Sequence, residues 1–134
     1  AGGQAYNSDA TNQITMPLRS EFIDTDNGTA TEHYYSTLFH EIAHWTGSPL
    51  RLKRTKGKEF GDIPYSKEEL CAELAAAFQM QAHGLSKVED TRENHSAYLA
   101  GWIKDPNAIA NAAKLAQASV AYCDSLQTPA AKAA

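Results

Sequence analysis

His40 and His44 flank Glu41 in the run Leu38-Phe39-His40-Glu41-Ile42-Ala43-His44-Trp45-Thr46-Gly47, a His-Glu-x-x-His arrangement. On an α-helix, residues four apart stand one turn above each other on the same face. Both imidazoles can then offer a nitrogen to one metal ion. Glu41 stands beside them, where its carboxylate can reach a water at that ion. Two ligands and a general base from one helical turn are the equipment of metal-assisted hydrolysis, as metalloproteases use it. The plainer alternative is a pair of surface histidines on an amphipathic helix.

A hydrolytic metal of this kind takes three protein ligands and keeps a position for water. A third histidine six residues beyond His44 would complete the longer motif H-E-x-x-H-x-x-G-x-x-H. Gly47 fits that motif, but its last position is Leu50. The other solution is a glutamate on a following helix. Glu69 and Glu73 lie one turn apart in Glu69-Leu70-Cys71-Ala72-Glu73 and face the same way. One can bind metal while the other accepts the N–H of a ligand histidine and fixes its tautomer. Glu69 as ligand follows the E-x-x-x-D pattern of Glu-ligated zinc peptidases, with Glu73 standing where that pattern has Asp. Should Glu69 instead close a capping box with Ser66, Glu73 becomes the ligand. Both assignments remain open on the sequence. His95 and Tyr98, three apart on one helix face, are candidates to donate to a tetrahedral intermediate. Their alternative is a surface histidine and a core tyrosine.

These residues need helices to hold them. Thr29-Ala30-Thr31-Glu32 is a capping box, preceded by the turn residues Asn27-Gly28. Tyr35, Leu38, Ile42 and Trp45 recur at helical spacing, and Gly47 and Pro49 stop the pattern. A helix over about 31–46 follows. Ser66-Lys67-Glu68-Glu69 predicts a second helix start, with Leu70, Leu74, Ala77 and Phe78 as its apolar stripe and Gly84 as its end. A third helix runs from about 90 or 91 to 104. Asp105-Pro106 caps a fourth that reaches about Leu126, where Ala110, Ala113, Ala116, Ala118 and Ala121 permit close packing. Before the motif, segments 4–7 and 13–16 read as a short hairpin across the turn-rich 8–12. Residues 20–28 form a connection with one possible helical turn. If the 13–16 strand makes an edge beside the site, an extended peptide could add to it.

Between the first two helices, 48–65 reads as a long irregular segment broken by Gly57, Gly61 and Pro64. Its stretch Arg51–Lys58 carries five basic residues. It is either a solvated loop or a contact to an acidic or phosphate-bearing partner, DNA included, through Arg51 and Arg54.

The 134 residues suit one domain, with 128–134 as a tail. A net charge of −4 argues against a chain built mainly to grip nucleic acid by its phosphates. Cys71 and Cys123 form no C-x-x-C, which favours a reduced, cytoplasmic setting. No run is apolar enough to span a membrane, and no signal peptide is visible. The opening Ala1-Gly2-Gly3 reads as the start of a fragment.

The run Leu38–Gly47, the basic Ser48–Arg54, and the later Tyr65–Phe78 together resemble the C-terminal metallopeptidase domain of the ArdC antirestriction proteins. The segments Ala5–Pro17 and Ala97–Lys104 fit the same family, so the resemblance covers about Ala5 to Tyr122. It implies a zincin-like α+β fold, mostly helical, with a small N-terminal hairpin or sheet packed on the motif helix. It implies a zinc ion, a peptide or protein substrate, and an origin in a plasmid, phage or other mobile element. Full-length members add an N-terminal single-stranded-DNA-binding domain, which is expected to be absent from this sequence.

Overall fold

A computed structural model describes residues 4–56, 63–86 and 104–127. In chain order these form strands β1 (Tyr6–Ser8) and β2 (Gln13–Thr15), a 3-10 turn (Arg19–Glu21), and helices α1 (Ala30–Thr46), α2 (Ile63–Ala82) and α3 (Pro106–Ser125). The expected helix over about 90–104 lies outside the described residues, apart from Lys104. The described residues have the α+β architecture expected: three helices carrying a two-stranded antiparallel hairpin.

α1 begins where its capping box places it. Thr29 Oγ1 accepts from Glu32 N over 3.1 Å, and Glu32 Oε1 accepts from Thr29 N over 2.9 Å. Asp24 adds a carboxylate at the same end, accepting from Ala30 N over 2.7 Å. Gly47 caps the other end. The buried face is not the aromatic stripe. Ser36, His40, Ala43 and Thr46 are buried, whereas Tyr35 is exposed and Leu38, Ile42 and Trp45 are half-buried. The deepest face of α1 is therefore its small and polar one.

α2 starts earlier than its sequence signal. Pro64 does not break the chain there. It sits in the first turn of the helix, where a missing N–H costs nothing. Ser66 is thus inside the helix and fully buried, and the expected cap at Ser66 is corrected by the three residues that precede it in the helix. The far end keeps its stop: Gly84 takes φ +72°, with Leu85 N donating to Met80 O and Gly84 N to Gln81 O. Those two bonds form the Schellman closure that a left-handed residue allows.

α2 is buried on most sides because it lies between α1 and α3. The core is made of small residues, Ala43, Cys71, Ala72, Ala75 and Ala116, flanked by Leu74, Phe78 and Val120. Small side chains let the helix axes approach closely. On α3 the buried line is Ala112, Ala116 and Ser119. Of the five alanines expected to pack, Ala116 is buried, Ala113 half-buried, and Ala110, Ala118 and Ala121 exposed. Asp105 caps α3 as its sequence predicts, accepting from Asn107 N over 2.9 Å.

The hairpin pairs Tyr6 with Thr15 and Ser8 with Gln13. Asn12, at φ 56°, turns the chain between the strands. A two-stranded hairpin is marginal alone, and here it is docked. Arg51 donates to Asn12 Oδ1 over 2.6 Å and to Trp45 O over 2.7 Å, and its guanidinium lies 3.8 Å from the Trp45 ring centre. Lys56 reaches Asp9 over 3.1 Å. Both thiols are free. No helix of the described residues is long and apolar enough to cross a membrane.

Candidate metal centre

α1 and α2 face each other with His40 and His44 on one side and a row of glutamates on the other. Nε2 of His40 and Nε2 of His44 are 3.1 Å apart. Glu69 Oε2 lies 2.6 Å from His44 Nε2 and 3.3 Å from His40 Nε2. The three donor groups gather within 4.8 Å of one another, the sole such cluster among the described residues. Their opposite ends are also held. His40 Nδ1 is 2.7 Å from Glu73 Oε1, and His44 Nδ1 is 2.8 Å from Glu68 Oε2. Carboxylates on both Nδ1 atoms can accept the ring protons there, which leaves both Nε2 atoms facing the centre.

Of the four residues expected as metal ligands, the structure brings His40, His44 and Glu69 together by their inner atoms. Glu73 meets the far side of the His40 ring. Glu68 went unweighed in the sequence. A signal for it existed: two ligand histidines require two Nδ1 partners, and the Glu69–Glu73 pair supplies one once the other faces the centre.

The charges are strongly coupled. Burial opposes a charged ring at His40, but the hydrogen bonds and charges of Glu69 and Glu73 outweigh it and push the imidazole up to about 10. His44 is raised as well, against its burial, by Glu68 and Glu69. Burial alone would raise the Glu69 carboxyl, yet the two histidines hold it well below the usual carboxylate range. Glu68 is lowered against its burial by His44 and Arg54. Two imidazoles plus a carboxylate, buried together, are the donor set of a hydrolytic divalent metal.

Glu41 is buried and borders a cleft of about 290 Å³ together with His44, Glu69, Tyr65 and Lys56. The far wall is Tyr6 and Asn7, so β1 borders the site rather than the expected β2. Tyr65, also missed in the sequence, places its hydroxyl 3.3 Å from Glu69 Oε1. Lys56 Nζ donates to the backbone oxygen of His44. His95 and Tyr98 lie outside the described residues. The two arginines expected at a partner-facing surface are placed differently. Arg51 docks the hairpin, and Arg54 turns inward to Glu68, with Nε 2.8 Å from Oε1 and 6% of its side chain exposed. Arg54 therefore belongs to the inside of the site, because an unpaired Glu68 carboxylate there would be costly.

A family model of zincin-like metallopeptidases, MPTase-PolyVal, matches residues 1–115. Two Escherichia coli proteins, each named DNA primase TraC, are 38% identical to this chain over 104 and 114 residues. Those matches take in 78% and 82% of this chain, and 7% and 10% of the relatives. The chain thus spans a small part of the length of the curated relatives it matches. The manganese(II)-bound crystal structure of the antirestriction protein ArdC from plasmid R388 superposes with a TM-score of 0.67 at 28% identity, covering 91% of this chain and 44% of that one. The metal-free ArdC structure gives 0.64 at 32% identity, with 87% and 40% covered.

The chain belongs to the zincin-like metallopeptidase family. Within it, the helices and site form an ArdC-like zincin domain. The donor set and the manganese-bound relative together indicate a divalent metal.

Proposed function

We propose that the chain is a zinc-dependent peptidase domain of an ArdC-like antirestriction protein, with His40, His44 and Glu69 as ligands. The observation that carries this reading is the convergence of those three donors at a cleft that Glu41 also borders. A divalent ion bound there would supply a Lewis acid and make a water acidic enough to attack a peptide carbonyl near neutral pH. Glu41, at the same cleft, would accept a proton from the attacking water and return it to the leaving amine. Glu73 and Glu68 hold the two imidazoles in place from behind. An extended peptide lying along β1 would reach the same cleft, adding to that strand by main-chain hydrogen bonds. Tyr65, whose hydroxyl lies beside the carboxylate of Glu69, is a further candidate for the donor role expected of His95 and Tyr98.

The relatives' names, an antirestriction protein from a plasmid and a DNA primase, support a plasmid setting and a larger protein that meets DNA. A single domain working in the cytoplasm on a protein substrate is the reading that fits them. The alternative is a non-catalytic module, stabilised by zinc, that binds DNA or a protein through the basic loop 51–58. The inward course of Arg54 favours the peptidase reading.

The test is incubation of the zinc-loaded chain and its Glu41→Gln variant with unfolded casein, read by mass spectrometry. Cleavage by the wild type that falls at least a hundredfold in Glu41→Gln, with zinc content equal, is the expected result. Equal cleavage by both would remove Glu41 from the mechanism. No cleavage by either would leave the binding module as the reading.

A further inference from the structure

The loop after α1 doubles back on the end of the helix. Leu52 N donates to Thr46 O over 2.9 Å, Lys53 N to Ser48 O over 3.0 Å, and Arg54 N to Gly47 O over 3.0 Å. Lys53 takes φ 57° in that turn. Arg54 is thereby laid over Gly47. A Cβ at Gly47 would stand 2.6 Å from Arg54 Nη2 and 2.7 Å from Cζ. Glycine at 47 therefore does more than end a helix: it leaves the space that the guanidinium fills.

The guanidinium is engaged all round. Nε donates to Glu68 Oε1 over 2.8 Å and Nη2 to Glu68 Oε2 over 3.0 Å. Nη2 also donates to Ala43 O over 2.6 Å, and Nη1 to Thr46 Oγ1 over 3.1 Å. Two parallel bonds from a planar fork fix the plane of a carboxylate as well as its position. The bonds to Ala43 and Thr46 fix the fork itself to α1. Glu68 Oε2, the atom so oriented, is the one 2.8 Å from His44 Nδ1.

We infer that Arg54 is a positioning residue of the metal centre, whose guanidinium, admitted by Gly47, sets the orientation of Glu68 and through it the His44 ring. The inference rests on the metal reading of the site and not on peptide cleavage. It assigns the inner part of the basic loop to the centre: Glu68, which meets His44, is itself held by Arg54 of that loop.

The test is zinc affinity of the full chain by competition with a chromophoric chelator, for wild type, Arg54→Gln, Arg54→Lys, Glu68→Gln and the Arg54→Gln/Glu68→Gln pair. Circular dichroism checks that each metal-free variant keeps its helices. Arg54→Gln and Glu68→Gln each weaken zinc binding about 10- to 100-fold. The pair is no weaker than the worse single variant, because both break one linkage. Arg54→Lys, with the charge but without the fork, recovers part of the loss. In the zinc-loaded chain, the ¹⁵N signal of His44 Nδ1 shifts in Arg54→Gln while that of His40 holds. A folded Arg54→Gln with wild-type affinity and an unmoved His44 signal overturns the inference. Should Arg54→Gln fail to fold, Glu68→Gln decides, and wild-type affinity there overturns it equally. A wild type that takes up no zinc defeats the metal reading itself, a result distinct from zinc uptake that ignores Arg54.

Discussion

Glu73 Oε1 lies 2.7 Å from Nδ1 of His40, on the side of the ring away from the donor cluster. The two glutamates one turn apart on α2 therefore meet opposite edges of a single imidazole: Glu69 its Nε2, Glu73 its Nδ1. Removing them should have unlike consequences. Glu73→Gln should keep one metal per chain and weaken its binding about 10- to 100-fold. Competition with a chelator of known affinity, followed by elemental analysis, measures both. Loss of all metal in Glu73→Gln would show that Glu73 coordinates directly.

Glu32 closes the capping box of α1 and also accepts from Ser86 N over 3.2 Å. Backbone hydrogen bonds from Thr29 and then Ser86 hold its carboxyl below the ordinary 4.5. A carboxyl lowered by folding stabilises the fold fully above its unfolded value. That contribution is lost as pH falls through the folded value. Thermal unfolding of wild type and Glu32→Gln should therefore differ most above the ordinary carboxyl range and converge as pH falls below it. A gap that widens on acidification would contradict the assignment.

Gly84 closes α2 at φ +72°, with nothing within 4 Å of the place a Cβ would occupy. The cost of a side chain there is conformational and not steric. Gly84→Ala should lower stability by about 1 kcal/mol, and Gly84→Asn by less. Urea unfolding with unchanged slope measures it. An equal loss in both variants would point to a contact instead.

Cys71 is fully buried in the core, and burial pushes its thiol up to about 11. The thiolate is the reactive form, so iodoacetamide at pH 8 should label Cys71 only when the core opens. In a Cys123→Ser background, saturating zinc should slow labelling roughly tenfold or more, since metal bound to the folded state opposes opening. Labelling at the rate of an exposed thiol would contradict the buried position.

Legibility followed how local the signal was. Thr29 and Glu32 read correctly as a cap because the two bonds of the box join residues three apart. Ser66 and Glu69 carry the same letters, yet Ile63 and Pro64 had already begun the helix, and Glu69 turned to the histidines of α1. His40, Glu41 and His44 were legible because one helical turn relates them. Their glutamate partners come from another helix, and spacing within α2 could not say which carboxylate meets which nitrogen. Arg54 looked like part of a surface charge run. Its inward course depends on the missing Cβ of Gly47 and on Glu68, 14 residues away. The apolar stripe of α1 placed the helix, but the deepest face is the one that carries the site, which is small and polar.

The most direct test is zinc content by elemental analysis after exhaustive dialysis, for wild type, His40→Ala and Glu69→Ala. The proposed zinc site predicts about one zinc per wild-type chain and none in either variant, with helical circular dichroism preserved in all three. A folded Glu69→Ala chain that keeps its zinc at wild-type affinity would contradict the centre formed by His40, His44 and Glu69.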